Sequence, residues 1–97
     1  MIGVTMFYIK RKVDLNEILK EIKEFIAHRL HEHGAQLVCL GVSPEKRKVF
    51  IQSYWEGPDR RKKAKAFNQL PEIKEARKTI DRHCKKVKDY RYDQIIE

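Results

Sequence analysis

Tyr8, Tyr54, Trp55, Tyr90 and Tyr92 each combine an apolar ring with a polar tip, and they are the residues of this 97-residue sequence best suited to hold a small molecule. Apolar walls carrying a few hydroxyl or N–H groups are the usual make-up of a pocket for a planar ligand. Trp55, Tyr8, Tyr54 and Tyr92 form the candidate ligand set, placed around the single tryptophan. The competing reading is structural. Aromatic side chains pack well on a pleated sheet, and a buried Trp adds a large apolar area wherever it lies.

Other reactive groups carry less. His28, His31 and His33 cluster with Glu32, and three imidazoles are a zinc ligand set in principle. His33 falls off the helix face that His28 and His31 share, no CxxC pair accompanies them, and imidazoles also suit the C-terminal end of a helix dipole. No metal site is assigned. His83-Cys84 invites a nucleophile-base reading, but adjacent helix positions point about 100° apart. Cys84 falls on an apolar stripe and is expected to be a buried, inert thiol, as is Cys39 in its strand. The four glycines are scattered, so no phosphate-cradling loop is present. No residue is assigned a catalytic role from these patterns, and no cofactor is expected.

Charge offers a second function class. The net charge is +8, and residues 46 to 97 hold 16 of the 22 basic side chains against 8 of the 14 acidic ones. Arg60, Arg61, Lys62, Lys63 and Lys65, with Lys85, Lys86 and Lys88, could track phosphates without reading sequence. A basic nucleic-acid-binding module is thus the alternative to a small-molecule protein. The bland account of the same residues is a solvated face of Lys-rich helices.

The elements that must position these groups follow from the apolar pattern. Lys48 to Glu56 predicts a central strand with Val49, Ile51 and Trp55 on one face and Phe50 and Tyr54 on the other. Gly3 to Lys12 and Ala35 to Val42 are likewise apolar on both sides, and the polar turn Ser43 to Lys46 makes the second and third strands a hairpin. Between the first two strands, Asp14 caps a helix of about 19 residues whose apolar positions run from Leu15 through Phe25 to Leu30, with Gly34 as its left-handed stop. Gly57-Pro58-Asp59 opens a thinly buried helix ending at Leu70. Pro71 starts another, expected to reach Lys86. Val87 to Ile96 then alternates: Tyr90, Tyr92 and Ile96 share one face, while Asp89, Arg91 and Asp93 share the other, as on a partly exposed strand.

The order β-α-β-β-α-β predicts an α+β, ferredoxin-like antiparallel sheet with helices on one face, as a single domain over residues 1–97. No apolar run approaches the roughly 18 residues of a membrane span, and no leader pattern stands out, so a cytoplasmic protein with reduced thiols is expected. The use of Lys, Glu, Arg and Ile, with two Asn and four Gln, leans towards a heat-adapted source. With helices on one side only, the other side of the sheet is a large apolar patch. A homodimer pairing through that face is the expected remedy.

In this order of elements the chain resembles the dimeric α/β-barrel superfamily, and within it the antibiotic-biosynthesis-monooxygenase (ABM) type of domain. The resemblance is carried by Val49-Phe-Ile-Gln-Ser-Tyr-Trp-Glu56, by Asn68-Gln-Leu-Pro-Glu-Ile73 opening the longer helix, and by Val87-Lys-Asp-Tyr-Arg-Tyr-Asp93 as the closing strand. It implies a homodimeric α/β barrel with a pocket in each subunit between sheet and helices. It also implies, for an enzyme, cofactor-independent oxidation of a small aromatic molecule. Trp55 matches the Trp that ends the third strand in active members. The His such enzymes place on the following helix is missing from Arg60 to Leu70, and the first strand offers only Thr5 and Tyr8 where a polar Asn is expected. The RNA-recognition motif shares the element order, and Met6 to Ile9 resembles its first-strand signature, but the third strand lacks the Gly and alternating aromatics that base stacking requires.

Overall fold

In the computed structural model, which describes residues 1–93, β1 (Ile2–Ile9) lies inside a four-stranded sheet of order β2-β3-β1-β4, all neighbours antiparallel. The other strands are β2 (Leu37–Ser43), β3 (Lys48–Tyr54) and β4 (Cys84–Tyr92). Between β1 and β2 run α1 (Leu15–Ile22), a π-helical turn (Lys23–Ala27) and α2 (His28–Glu32); between β3 and β4 run α3 (Arg60–Gln69) and α4 (Pro71–Asp81). This is the ferredoxin-like arrangement expected from the pattern. Among the described residues no helix is long and apolar enough to cross a membrane.

Local chemistry places the helix ends. The Asp14 carboxylate accepts from the backbone N–H of Asn16 at 2.9 Å and of Glu17 at 3.4 Å, capping α1. Gly34, at φ +106°, follows the end of α2 in the left-handed region. Pro71 holds the first position of α4, where its missing N–H costs nothing.

Two elements differ from expectation. The first helix is not uniformly α. Ile18, Ile22, Ile26 and Leu30 are all buried at strict four-residue steps, and in α geometry each step overshoots a full turn by about 40°. The wider π turn winds the row back towards the sheet, and Phe25, expected in the apolar row, is left 49% exposed. The last helix stops at Asp81 rather than near Lys86. Strand pairing overrides the helical spacing of Ile80 and Cys84. β4 runs along β1 from Ile9 opposite Cys84 to Ile2 opposite Tyr92, and a register shift near Tyr8 and Ile9 absorbs the extra residue. Lys85, Lys86 and Lys88 therefore lie on a strand. The final residues of the expected strand, Ile96 among them, lie outside the described residues.

Register divides the side chains between two faces. Phe7, Ile9, Val49, Ile51 and Trp55 pack beneath the helices with Ile18, Ile22, Ile73 and Ile80 as one core. The helix-free face carries cross-strand rows: Leu37, Tyr54, Ile2 and Tyr92, then Cys39, Gln52, Val4 and Tyr90, then Gly41, Phe50, Met6 and Lys88. The last row, Ser43, Lys48, Tyr8 and Lys86, is cationic, with the Lys48 and Lys86 ammonium groups 5.3 and 4.6 Å from the Tyr8 ring centre. On this face Gly41 makes room for a neighbour, because a β-carbon there would fall 2.0 Å from the Phe50 ring.

Candidate functional site

The alternation of β3 puts Ile51, Ser53 and Trp55 on the helix side, and β1 places Gly3, Thr5 and Phe7 beside them. Above these strands the π turn and α2 bring down Ile26 and Leu30, α3 brings Ala64, Phe67 and Asn68, and α4 brings Ile73 and Arg77. The enclosed space is a cavity of about 300 Å³, at the small end of the range for small-molecule sites.

Trp55 is one wall, 2% exposed. Its indole Nε1 donates to Ser53 Oγ at 3.1 Å, and its ring lies 6.3 Å from Phe67, which is stacked edge-on to His33 at 5.7 Å. Trp55 is thus a packing residue and a cavity residue at once. Gly3 keeps the floor open, since a β-carbon there would meet Ser53 Oγ at 3.1 Å.

The polar end of the cavity is built from strand edges. The Thr5 hydroxyl donates to Asp89 Oδ1 at 2.6 Å, Arg77 Nη2 donates to Asp89 Oδ2 at 3.4 Å, and Arg91 stands two residues along the same face of β4. The Arg77 guanidinium lies 5.7 Å from the Phe7 ring centre. Apolar walls and one charged end suit an amphiphilic small molecule.

The sequence-derived candidates are not brought together. Trp55 lines the cavity, whereas Tyr8, Tyr54 and Tyr92 project from the opposite face of the sheet, where side-chain parity sends them. The Tyr54 hydroxyl donates instead to Glu56 at 3.0 Å, and that bond holds its proton above the ordinary range. Thr5, Ser53, Asn68, Arg77, Asp89 and Arg91 are what sequence reasoning missed. The signal lay in parity: polar residues stand at strand positions whose neighbours two residues away face the helices. Asp89 and Arg91 were expected on the exposed side of the last strand, but that side faces the helices.

The basic tracts also separate. Lys62, Lys63 and Lys65 are exposed on α3, Arg60 donates to Gly57 O at 3.1 Å, and Arg61 pairs with Asp93 at 2.5 Å. Lys86 and Lys88 lie on the helix-free face, on the other side of the sheet. Among the described residues no three His, Cys, Asp or Glu side chains gather as a metal site, and the His33 ring lies edge-on to Phe67. Cys84 is at the start of β4 rather than on a helix. It is buried and donates to Ile80 O at 3.4 Å, and burial, with Asp81 nearby, pushes its thiol up to about 11. Cys39, expected to be buried, is exposed on the helix-free face.

Comparison with solved structures extends the fold to known proteins. A structure described as an antibiotic biosynthesis monooxygenase superimposes with a TM-score of 0.77 at 16% identity, covering 99% of this chain and 100% of its own. A dimeric ferredoxin-like protein from an uncultured marine organism matches with a TM-score of 0.68 at 12% identity over 99% of this chain and 90% of its own. An uncharacterised NIPSNAP domain protein from Burkholderia xenovorans matches with a TM-score of 0.65 at 10% identity over 92% and 88%. No protein-family model and no curated protein sequence matches the chain. The ABM resemblance read from the sequence is borne out at the level of the fold, and this fold is shared by proteins of different description.

Proposed function

We propose that this ABM-like fold works as a homodimer in which each subunit binds one small, largely apolar aromatic molecule in the cavity beside Trp55. The single observation that carries the reading is that cavity, closed by Trp55, Phe67 and Phe7 and open to a polar end at Thr5, Arg77 and Asp89. The dimer is supported by the helix-free face, where Ile2, Val4, Met6, Leu37, Phe50, Tyr90 and Tyr92 stand together with no layer of the described residues over them. The dimeric ferredoxin-like neighbour adds a precedent on the same fold. Oxidation of the bound aromatic is the reaction that the neighbour described as a monooxygenase suggests for this site.

Because the chain has one tryptophan, its emission reports on the cavity alone. Titration with bicyclic aromatic compounds is expected to quench Trp55 saturably, at one molecule per subunit. A linear, unsaturable response from every compound tried would remove the ligand-site reading. The nucleic-acid alternative uses Arg60, Arg61, Lys62, Lys63 and Lys65, and it requires oligonucleotide binding that weakens steeply with salt.

A further inference from the structure

We propose that the natural ligand of the cavity is an anion, an aromatic or apolar body bearing one carboxylate that the Arg77 guanidinium grips from α4 while Arg91 faces it from β4. This rests on the reading of the cavity as a ligand site and adds the charge that its occupant must carry.

A guanidinium offers five N–H donors in a planar fork. The Arg77 side chain is only 26% exposed, and among the described residues its one acceptor is Asp89 Oδ2 at 3.4 Å. Asp89 is 60% exposed, and its other oxygen is engaged by the Thr5 hydroxyl at 2.6 Å, which holds the carboxylate away from a two-pronged grip on Arg77. Arg77 Nε is buried with no partner. A cation about three-quarters withdrawn from water, with its buried Nε–H unpaired, is a costly arrangement that an incoming oxyanion relieves.

The charges of the lining point the same way. Arg77 and Arg91 are its cationic side chains and Asp89 is its one acidic side chain, so the polar end carries an excess of one positive charge. Contact with the Phe7 ring, 5.7 Å from the guanidinium carbon, steadies the fork. Room for the ligand's head group lies at Gly3, which register sets opposite Arg91 and which presents no side chain. A neutral ligand would leave the excess charge unbalanced, and a cationic one would add to it.

The test uses 2-naphthoate and its neutral near-isostere 2-naphthamide, with binding followed by calorimetry on the intact protein and on Arg77→Gln and Arg77→Lys. The wild type is expected to prefer the carboxylate by about tenfold or more, the range of a hydrogen bond between charged partners. Arg77→Gln is expected to bring the two affinities together while the amide's affinity holds, and Arg77→Lys to keep part of the preference. Equal affinities in the wild type overturn the anion, a preference that survives Arg77→Gln overturns the grip by Arg77, and either result leaves the cavity reading standing. Failure of both compounds to bind the wild type overturns the two together.

Discussion

Cys39 and Cys84 sit on opposite faces of the sheet, and their chemistry diverges accordingly. With its thiol raised from the ordinary 9.0 to about 11 and its Sγ–H donated to Ile80 O, Cys84 stays protonated at neutral pH and resists alkylation. Iodoacetamide is expected to leave Cys84 unmodified in the folded protein and to reach it only after unfolding, as intact-mass spectrometry would show. Modification of both thiols in the folded protein at pH 8 would remove that assignment. The raised value also has a thermodynamic sign. The folded state binds the Cys84 proton more tightly than the unfolded chain, so this contribution is full below pH 9 and fades as pH rises through about 11. Tyr54, raised by its bond to Glu56, acts in the same direction. The unfolding midpoint is expected to fall across that window, with a shallower slope in Cys84→Ala. At this scale the sequence revealed Trp55 but hid its companions. Arg77 and Asp89 are ordinary charged residues until α4 and β4 set them 3.4 Å apart, and that pairing depends on tertiary register.

Helices and strands were more legible than sites because each is dictated by a short-range rule. Asp14 followed by an apolar row marked the start of α1, and the side chain does cap Asn16 and Glu17. Replacing it in Asp14→Ala is expected to cost about 1 kcal/mol of stability, measurable by urea unfolding. The π turn escaped notice because its cause is a distance, the reach from Ile18 to Leu30 along one side of the sheet, and periodicity in a short window does not encode it. The end of α4 escaped for a related reason. Ile80 and Cys84 keep helical spacing, yet the ladder bonds that β1 offers to a strand beginning at Cys84 outweigh one more helical turn.

For the molecule as a whole, apolar residues on both faces of three strands implied a layer beyond those this chain supplies. Met6 stands in the third row of the helix-free face, between Phe50 and Lys88 in register. In a sheet-to-sheet dimer Met6→Lys buries an added cation from each copy, at a cost of about 3 kcal/mol or more. Sedimentation equilibrium is expected to find a dimer for the wild type and a monomer for this variant, with the far-ultraviolet dichroism of both unchanged. A wild type that sediments as a monomer at micromolar concentration would remove the pairing.

The two margins of the sheet are not alike. β4 carries Lys85, Lys86, Lys88, Asp89 and Arg91, charges that repel an approaching strand, whereas β2 from Leu37 to Ser43 has neither a charge nor a proline and exposes Leu37, Leu40 and Val42. Its outer backbone edge, unpaired among the described residues, is a template on which further molecules can stack. Prolonged warming is therefore expected to convert the protein into thioflavin-binding fibrils that grow from β2, and a single lysine, in Val42→Lys, to lengthen the lag before they appear. Storage life is then set by seven residues at one rim of the sheet.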